Sequence, residues 1–393
     1  MEDLFILTGG TGFLGLRVSA YILRNGGNII FLGRSKGGLS FGERVLRQLN
    51  DLDINYKVTQ VESIEYDISD PINIDEIIQY CSGRKIKGVL HLAADLSFKK
   101  TNKKRVLRNN FEGTKKIAYV AEKLRIPIYY TSTAYVHGKR GGLVLEGELI
   151  EPKSFNNPYE ESKFLAEKFL QKWSCDTGSK FVIFRPSILI DTDILPVKMS
   201  FGYYSVVLAL INLKQLIIDF LNNKIVSTLF FSSRTSLNLS DEISVYFPFP
   251  NSKSCLLDLV PVQWVVEWMF GIIKDDSSIN MTFHLCNPHP VPLKNVIRQT
   301  FDGIKMNMLI VDLSSMFFKL YFLIIRLLGS MSKGVFSLSQ KVLPYSYYMS
   351  EYVLHDMKNT SRFVDNIDSY RLEDDVLFKI SRKFLLKMCK SSN

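Results

Sequence analysis

The sequence predicts an α/β fold, a doubly wound parallel sheet with a smaller, mostly helical C-terminal lobe. Three observations lead there. Short β-rich runs alternate with helix-length segments over the first 190 residues, the pattern of a parallel sheet covered on both faces. A glycine-rich turn joins the first strand to the first helix. After Arg185-Pro186 the texture changes to long apolar stretches, a Ser/Asn-rich segment near Ser232 to Ser240 and the proline-punctuated YFPFPN at 246–251.

Taken in order, DLFILT at 3–8 is the first strand, Leu14 to Arg24 the first helix and Asn28 to Leu32 the second strand. Further strands are expected at Gln60 to Tyr66, Gly88 to Leu92, Ile128 to Thr131 and Phe181 to Phe184. The chain is expected to return to this first domain, residues 1–190, at about 256–290, through Leu256 to Ile273 and Thr282 to Cys286. Residues 191–255 and 291–393 are expected to form the substrate-binding lobe, leaving no room for a further catalytic domain.

Composition bounds the class. Of 393 residues 46% are hydrophobic and 22% charged, which excludes a disordered or collagen-like chain. The five cysteines (Cys81, Cys175, Cys255, Cys286, Cys389) are scattered without a CxxC pair, arguing against a disulfide framework or a zinc site and for a reducing cytoplasm. No metal is expected. MEDLFILTGG enters a strand directly, without the basic and apolar regions of a secretory signal. No segment supplies 18 uncharged apolar residues; the longest candidate, Met199 to Leu213, is closed by Lys198 and Lys214. Ser315 to Gly329 reads as a nearly all-apolar helix whose charges, Lys319 and Arg326, fall on one stripe with Asp312, seven residues before them. A buried C-terminal helix is expected; contact with a membrane surface, or closure over a greasy substrate, is the lesser alternative.

Residues 8–15 read TGGTGFLG, placing Gly9-x-x-Gly12-x-x-Gly15 at the first strand-to-helix turn. Such a turn lets backbone N–H groups and a helix N-terminus approach a pyrophosphate, which makes a Rossmann-like, dinucleotide-binding unit. Gly9, Thr11, Gly12, Phe13, Leu14 and Gly15 are the candidate contacts. The second strand ends in FLGRS, with Arg34 where an NAD-binding chain usually places a carboxylate. A guanidinium suits a 2′-phosphate, so NADP(H) is expected, with Arg44 as a second contact. Asp67 and Ile68 are expected near the adenine, and Leu92, Ala93 and Ala94 offer small apolar surface after the fourth strand.

Tyr159 and Lys163 stand four apart on one helix face. A cation beside a phenol is expected to lower its pKa and make it a usable proton donor. The pair follows YYTSTAYVHG, which puts Ser132 and Thr133 at the carboxyl end of the sheet, where ligands of open α/β folds bind.

The set TGGTGFLG, HLAAD (91–95), NFEGT (110–114), STAYVHG (132–138), YEESK (159–163) and RPS (185–187) resembles the extended short-chain dehydrogenase/reductase superfamily. Arg34, ERVLRQL at 43–49, AADLSF at 93–98 and STAYV look most like its thioester reductase or fatty acyl-CoA reductase branch. The resemblance covers residues 4–190 and thins to DLVPVQWV at 258–265 and FHLCNPHPV at 283–291. It implies Tyr159 as general acid, Lys163 as the residue that holds the nicotinamide ribose and tunes the tyrosine, and Thr133 as the hydroxyl that meets the substrate carbonyl. Thr133 is preferred to Ser132 because it lies five positions before Gly138, as in the family pattern. Asn110 matches the residue that orders the lysine and a relay water. His137 is expected to be structural.

The implied reaction is reduction of an acyl thioester, on CoA or on a carrier protein, to an aldehyde and possible alcohol. A ketone or aldehyde reductase, or a hydroxysteroid-type dehydrogenase, is the alternative; a nucleotide-sugar epimerase or dehydratase fits Arg34 less well, and a non-catalytic dinucleotide sensor predicts loss of residues that are present. The residues hold no carrier or adenylation segment, so the thioester is expected from a separate donor. Net charge is 49 − 39 = +10, and residues 84–125 hold 13 basic and 3 acidic side chains, which accounts for all of it. Lys99 to Arg108 is therefore the expected docking stretch for an acidic carrier or the CoA phosphates. Nucleic acid is not expected, since the basic run lacks interleaved aromatics.

Overall fold

The computed structural model describes residues 3–52, 54–67, 74–191, 202–222, 237–314, 316–318, 320–321, 324, 343–350 and 352–391. The chain divides into two compact units. The first comprises Met1–Ser187, Val262–Cys286 and Leu354–Ile367, the second Ile188–Pro261, Asn287–Val353 and Asp368–Asn393. Four stretches fall differently from expectation: Ile188 to Ile190, Leu256 to Pro261 and Asn287 to Pro290 lie with the second unit, and Leu354 to Ile367 return to the first.

In the first unit β1 (Leu4–Thr8), β2 (Asn28–Gly33), β3 (Val61–Glu65), β4 (Ile86–His91) and β5 (Ile128–Thr131) precede the short β6 (Gly142–Val144) and then β7 (Phe181–Pro186). With Met281–Leu285 as a seventh strand they form one parallel sheet, in the order β3, β2, β1, β4, β5, β7, Met281–Leu285. The order reverses between β1 and β4, which makes their carboxyl ends the switch-point crevice of a doubly wound sheet. Helices α1 (Phe13–Arg24), α2 (Phe41–Asp51), α3 (Ile74–Cys81), α4 (Lys103–Leu107), α5 (Gly113–Leu124) and α6 (Pro158–Thr177) supply the crossovers.

The strands inside the sheet are buried because both faces are covered, so they read as continuous apolar runs rather than alternating ones, whereas the edge strand β3 (VESIE) is partly exposed and half polar. Ile6, Ile30, Val89, Ile128, Tyr130 and Ile183 join Ile77 of α3, Ile117 and Val120 of α5 and Ala166 and Leu170 of α6 in one core on one face. On the other, Tyr21 of α1 stacks on Phe270 of helix Val262–Ile273 with ring centroids 4.3 Å apart.

The segment that returns at Leu354 is fastened by one buried carboxylate. Glu146 accepts hydrogen bonds from His284 N (2.8 Å), Thr360 N (3.2 Å), Thr360 Oγ1 (2.6 Å) and Asn359 N. Burial lifts this acid to about 7 against the lowering by those donors.

The second unit is built around α7 (Gly202–Leu221) and the parallel pair Ile243–Ser252 with Met306–Leu313. By length and composition alone, α7 is long and apolar enough to cross a membrane, although Lys214 and Asp219 lie within it, so it is not a run of 18 uncharged apolar residues. Tyr203, Tyr204, Val207, Leu210, Ile211 and Ile218 are buried, and Tyr203 Oη meets Thr300 Oγ1 (2.8 Å) and Ser381 Oγ (3.0 Å). Its buried Lys214 donates to the carbonyls of Asp241 (2.6 Å) and Ile304 (2.9 Å). In the stretch expected to be a buried helix at 315–329, the described residues 316–318, 320–321 and 324 are helical. There Phe318 is buried, but Met316, Phe317, Leu320 and Ile324 are exposed. The rest of that stretch, with Lys319 and Arg326, lies outside the described residues.

Candidate active site

The turn after β1 has the shape a pyrophosphate needs. Gly9 sits at φ +75°, and a Cβ there would come within 2.6 Å of Ala93 N. A Cβ on Gly15 would come within 2.1 Å of Gly9 O, so both positions require glycine. Gly12 caps α1 without a side-chain hydrogen bond and the first turn carries no acid, which leaves the helix N-terminus facing outward for an anion. The side chain of Leu14 is buried, so its share in a ligand site is limited to the main chain, whereas Thr11 and Phe13 are half-buried. A dinucleotide phosphate fits this cradle, and no bulkier turn does.

At the end of β2, Arg44 Nη1 donates to Arg34 O (2.6 Å) and Nη2 to Thr11 Oγ1 (3.4 Å). Arg34 itself is exposed and pairs with Asp67 at 3.6 Å. Asp67, expected at the adenine, thus has its carboxylate on the guanidinium. Glu65, at the end of β3, accepts from Ser35 N (2.8 Å) and Phe41 N (2.6 Å) through its two oxygens, which fastens the loop after β2. Ile68 lies outside the described residues. Leu92 and Ala93 are half-buried and Ala94 exposed beyond β4, with Ala93 N donating to Thr8 Oγ1.

Helix α6 starts where NNPYEE dictates. The Asn157 side chain accepts from Glu160 N (3.0 Å) and Pro158 occupies the first helical turn, where its missing N–H costs nothing. Tyr159 and Lys163 therefore project from successive turns. Lys163 is buried, donates to Thr131 O at 2.6 Å, and its Nζ lies over the rings of Tyr130 (4.6 Å) and Tyr159 (5.9 Å). One turn further, the buried pair Arg185–Glu167 at 2.6 Å pins α6 to β7.

The electrostatics correct one expectation. Desolvation and the Glu160 carboxylate hold the Tyr159 phenol above its ordinary value, against a smaller lowering by a hydrogen bond with Thr133. Desolvation pulls the Lys163 ammonium down to about 7, against the opposing Glu167 charge. The lysine Nζ faces the tyrosine ring at 5.9 Å and does not lower the phenol. The neutral phenol, the form a general acid must start in, is favoured.

Thr133 is buried and accepts from Tyr135 N at 3.3 Å, while Ser132 Oγ is buried with no hydrogen-bond partner among the described residues. Asn110 lies in a π-helical turn, Arg108–Glu112, between α4 and α5, a distortion common at functional sites. Its Oδ1 accepts from Asp95 N (2.7 Å), and its Nδ2 donates to Asp95 O (3.0 Å) and to Ser162 Oγ (2.9 Å). Ser162 Oγ in turn donates to Tyr159 O (2.7 Å). Thus Asn110 reaches the helix of Tyr159 through Ser162, a residue that sequence reasoning passed over although it sits inside YEESK. His137 is buried and drawn down to about 3 by desolvation and the neighbouring His355.

Comparison with known proteins bears on the fold and the family. The chain is 24% identical over 169 residues to an ADP-L-glycero-D-manno-heptose-6-epimerase of Brachyspira hyodysenteriae, which is 43% of this chain and 48% of that protein, so it spans about half the length of the curated relative it matches. Among solved structures it is similar to the terminal R domain of the myxalamid PKS-NRPS pathway, at 19% identity and TM-score 0.76 over 99% of this chain and 92% of the other. It is also similar to an archaeal thiolation-reductase di-domain (16%, TM-score 0.69, 100% and 77% covered) and to UDP-glucose 4-epimerase of Thermotoga maritima (14%, 0.61, 98% and 99%). At these identities the likeness shows the fold. The profile of the NAD-binding family described as male sterility protein matches residues 7–269, and the chain belongs to that family, within the extended short-chain dehydrogenase/reductases, a class of NAD(P)-dependent oxidoreductases.

Proposed function

We propose that the protein is an NADPH-dependent reductase that converts an acyl thioester, carried on CoA or a carrier protein, to an aldehyde. The observation that carries this reading is the convergence of Thr133 and a neutral Tyr159 at the carboxyl end of β5, in the same sheet whose first strand ends in the glycine turn. The turn at Gly9 to Gly15 and the Arg34–Arg44 cluster are the residues that hold the dinucleotide, the latter at its 2′-phosphate. When bound, the reduced nicotinamide supplies a hydride to the carbonyl carbon.

The protein's own residues handle the rest. Thr133 donates a hydrogen bond to the carbonyl oxygen, and Tyr159 gives it a proton as charge develops there. The resulting hemithioacetal loses that proton as the C–S bond breaks, and the departing thiolate takes up a proton to leave a free thiol beside the aldehyde. Lys163, held by Thr131 O, orients the ribose, and Asn110 keeps α6 in place through Ser162.

Thioester rather than ketone is favoured by the likeness, over nearly the whole chain, to two reductase-type domains of synthetases, with higher TM-scores than the epimerase. The exposed Lys99, Lys100, Lys104 and Arg108 add a surface for an anionic carrier or the CoA phosphates. Purified protein given NADPH and a panel of acyl-CoA, acyl-carrier-protein and ketone substrates tests the proposal. Cofactor oxidation and aldehyde formation with a thioester are expected; oxidation with a ketone and none with any thioester overturns it.

A further inference from the structure

One buried ring ties the glycine turn to the catalytic set. His91 ends β4, is fully buried, and its nitrogens meet Thr8 Oγ1 (2.7 Å, from Nδ1) and Thr114 Oγ1 (3.1 Å, from Nε2). Each hydroxyl has a second neighbour whose role is fixed by chemistry. The Asn110 carbonyl, 2.6 Å from Thr114 Oγ1, can only accept, so the hydroxyl's single proton goes there and its lone pairs face His91. The Ala93 N–H, 3.3 Å from Thr8 Oγ1, can only donate, so the proton of Thr8 is left for Nδ1.

One state of the ring satisfies every partner: neutral, with its proton on Nε2. The other tautomer sets a bare Nε2 against a hydroxyl whose proton is already committed, and leaves the Thr8 proton without an acceptor. A charged ring has the second defect, and burial together with the Lys163 charge holds the imidazole down to about 3.

We infer that His91 is a positioning residue, locked as the Nε2–H tautomer, that joins the dinucleotide turn to Asn110 and through it to Tyr159. The chain of hydrogen bonds runs from Ala93 N–H to Thr8, His91, Thr114 and the Asn110 carbonyl. From the Asn110 amide it continues to Ser162 and the Tyr159 carbonyl. It adds a side-chain donor to the carbonyl of a residue that sits in a π-helical turn, a carbonyl that also accepts from Gly113 N. The inference rests on the catalytic reading of Asn110 and Tyr159 proposed above.

Two readouts test it. In protein with ¹⁵N-labelled histidine, with His91→Gln identifying the resonances, the His91 ring is expected as the neutral Nε2–H tautomer throughout about pH 5 to 8. An Nδ1–H tautomer, or titration within that window, overturns the inference, and no activity is needed to see it. In turnover of NADPH with an acyl-CoA, His91→Gln, whose amide nitrogen reaches the Nε2 position, is compared with His91→Asn, which stops short at Nδ1. The expected kcat loss is under about threefold for Gln and about tenfold or more for Asn, with KM and Tm alike in the two. Equal kcat in both, or a kcat loss that merely tracks a fall in Tm, overturns it. If His91→Asn does not fold, the tautomer still decides. If the unsubstituted protein turns over no thioester, the functional reading fails while the tautomer result stands apart from it.

Discussion

In the proposed function Arg34 carries the choice of cofactor; in the structure it pairs with Asp67 at 3.6 Å, the guanidinium exposed and the carboxylate partly so. Such a surface pair is weak, so a 2′-phosphate, with its greater charge and three acceptor oxygens, displaces it. Arg34→Glu is expected to raise the Kd for NADPH about tenfold or more with little change for NADH, and Asp67→Asn to tighten NADPH alone. Dinucleotide titration of the two variants checks this; equal effects on both cofactors contradict it. Arg34, Tyr159, Lys163 and Asn110 were all legible in the sequence, because each lies at a set distance from a glycine turn or within a short local motif. The partners that define their state were not. Asp67 is 33 positions from Arg34, and the Thr8–His91 contact spans 83, so the pairing exists only once the sheet has aligned the strand ends.

Among the elements, α6 matters most, since it carries Tyr159, Ser162, Lys163 and Glu167 on consecutive turns. Its seat on β7 is the buried Arg185–Glu167 pair, in which Arg185 also donates to the carbonyls of Glu146 and Glu148. Glu167→Ala strands that guanidinium and is expected to cost about 3–5 kcal/mol in denaturant unfolding; a loss below about 1 kcal/mol contradicts the assignment. The stretch at 99–108 yields a different kind of prediction. Lys103 and Arg105 are already engaged, with Glu161 and Asp95 at 2.8 Å each, so reversing them disturbs the site itself. Lys99, Lys100 and Lys104 are the exposed charges to reverse to Glu. The triple variant is expected to raise KM for an acyl carrier or acyl-CoA about tenfold at low salt, with kcat kept and the difference shrinking as salt rises. A KM that does not move removes the docking reading. The inner sheet strands were legible as continuous apolar runs between helix-length segments. The return of Leu354 to Ile367 was not, because it depends on one carboxylate, Glu146, meeting Asn359 and Thr360 more than 200 residues away.

At the scale of the molecule, buried titratable groups set how stability follows pH. Burial draws His91 and His137 to about 3 and holds His284 well below its ordinary 6.5. Unfolded, these three rings take protons as pH falls through about 6.5; folded, they do not until far lower, so acid favours the unfolded chain. Glu146 acts in the opposite sense: raised to about 7 from 4.5, its contribution is complete below 4.5 and is lost as pH rises through about 7. Three groups outweigh one. Calorimetry is expected to give a lower Tm at pH 5 than at pH 7, and Glu146→Gln a steeper acid loss; a Tm equal or higher at pH 5 contradicts this balance.

These scales meet in the one chemical event we propose, the transfer of a proton from Tyr159 to a reduced thioester carbonyl followed by loss of the thiol. The most direct measurement counts products: NADPH consumed, free thiol released and aldehyde or alcohol formed from an acyl-CoA, in the unsubstituted protein and in Tyr159→Phe. The expected result is one thiol for each NADPH when aldehyde accumulates, or for each two when alcohol does, with turnover lost and NADPH binding kept in Tyr159→Phe. NADPH consumption without thiol release, or undiminished turnover in Tyr159→Phe, would contradict the account.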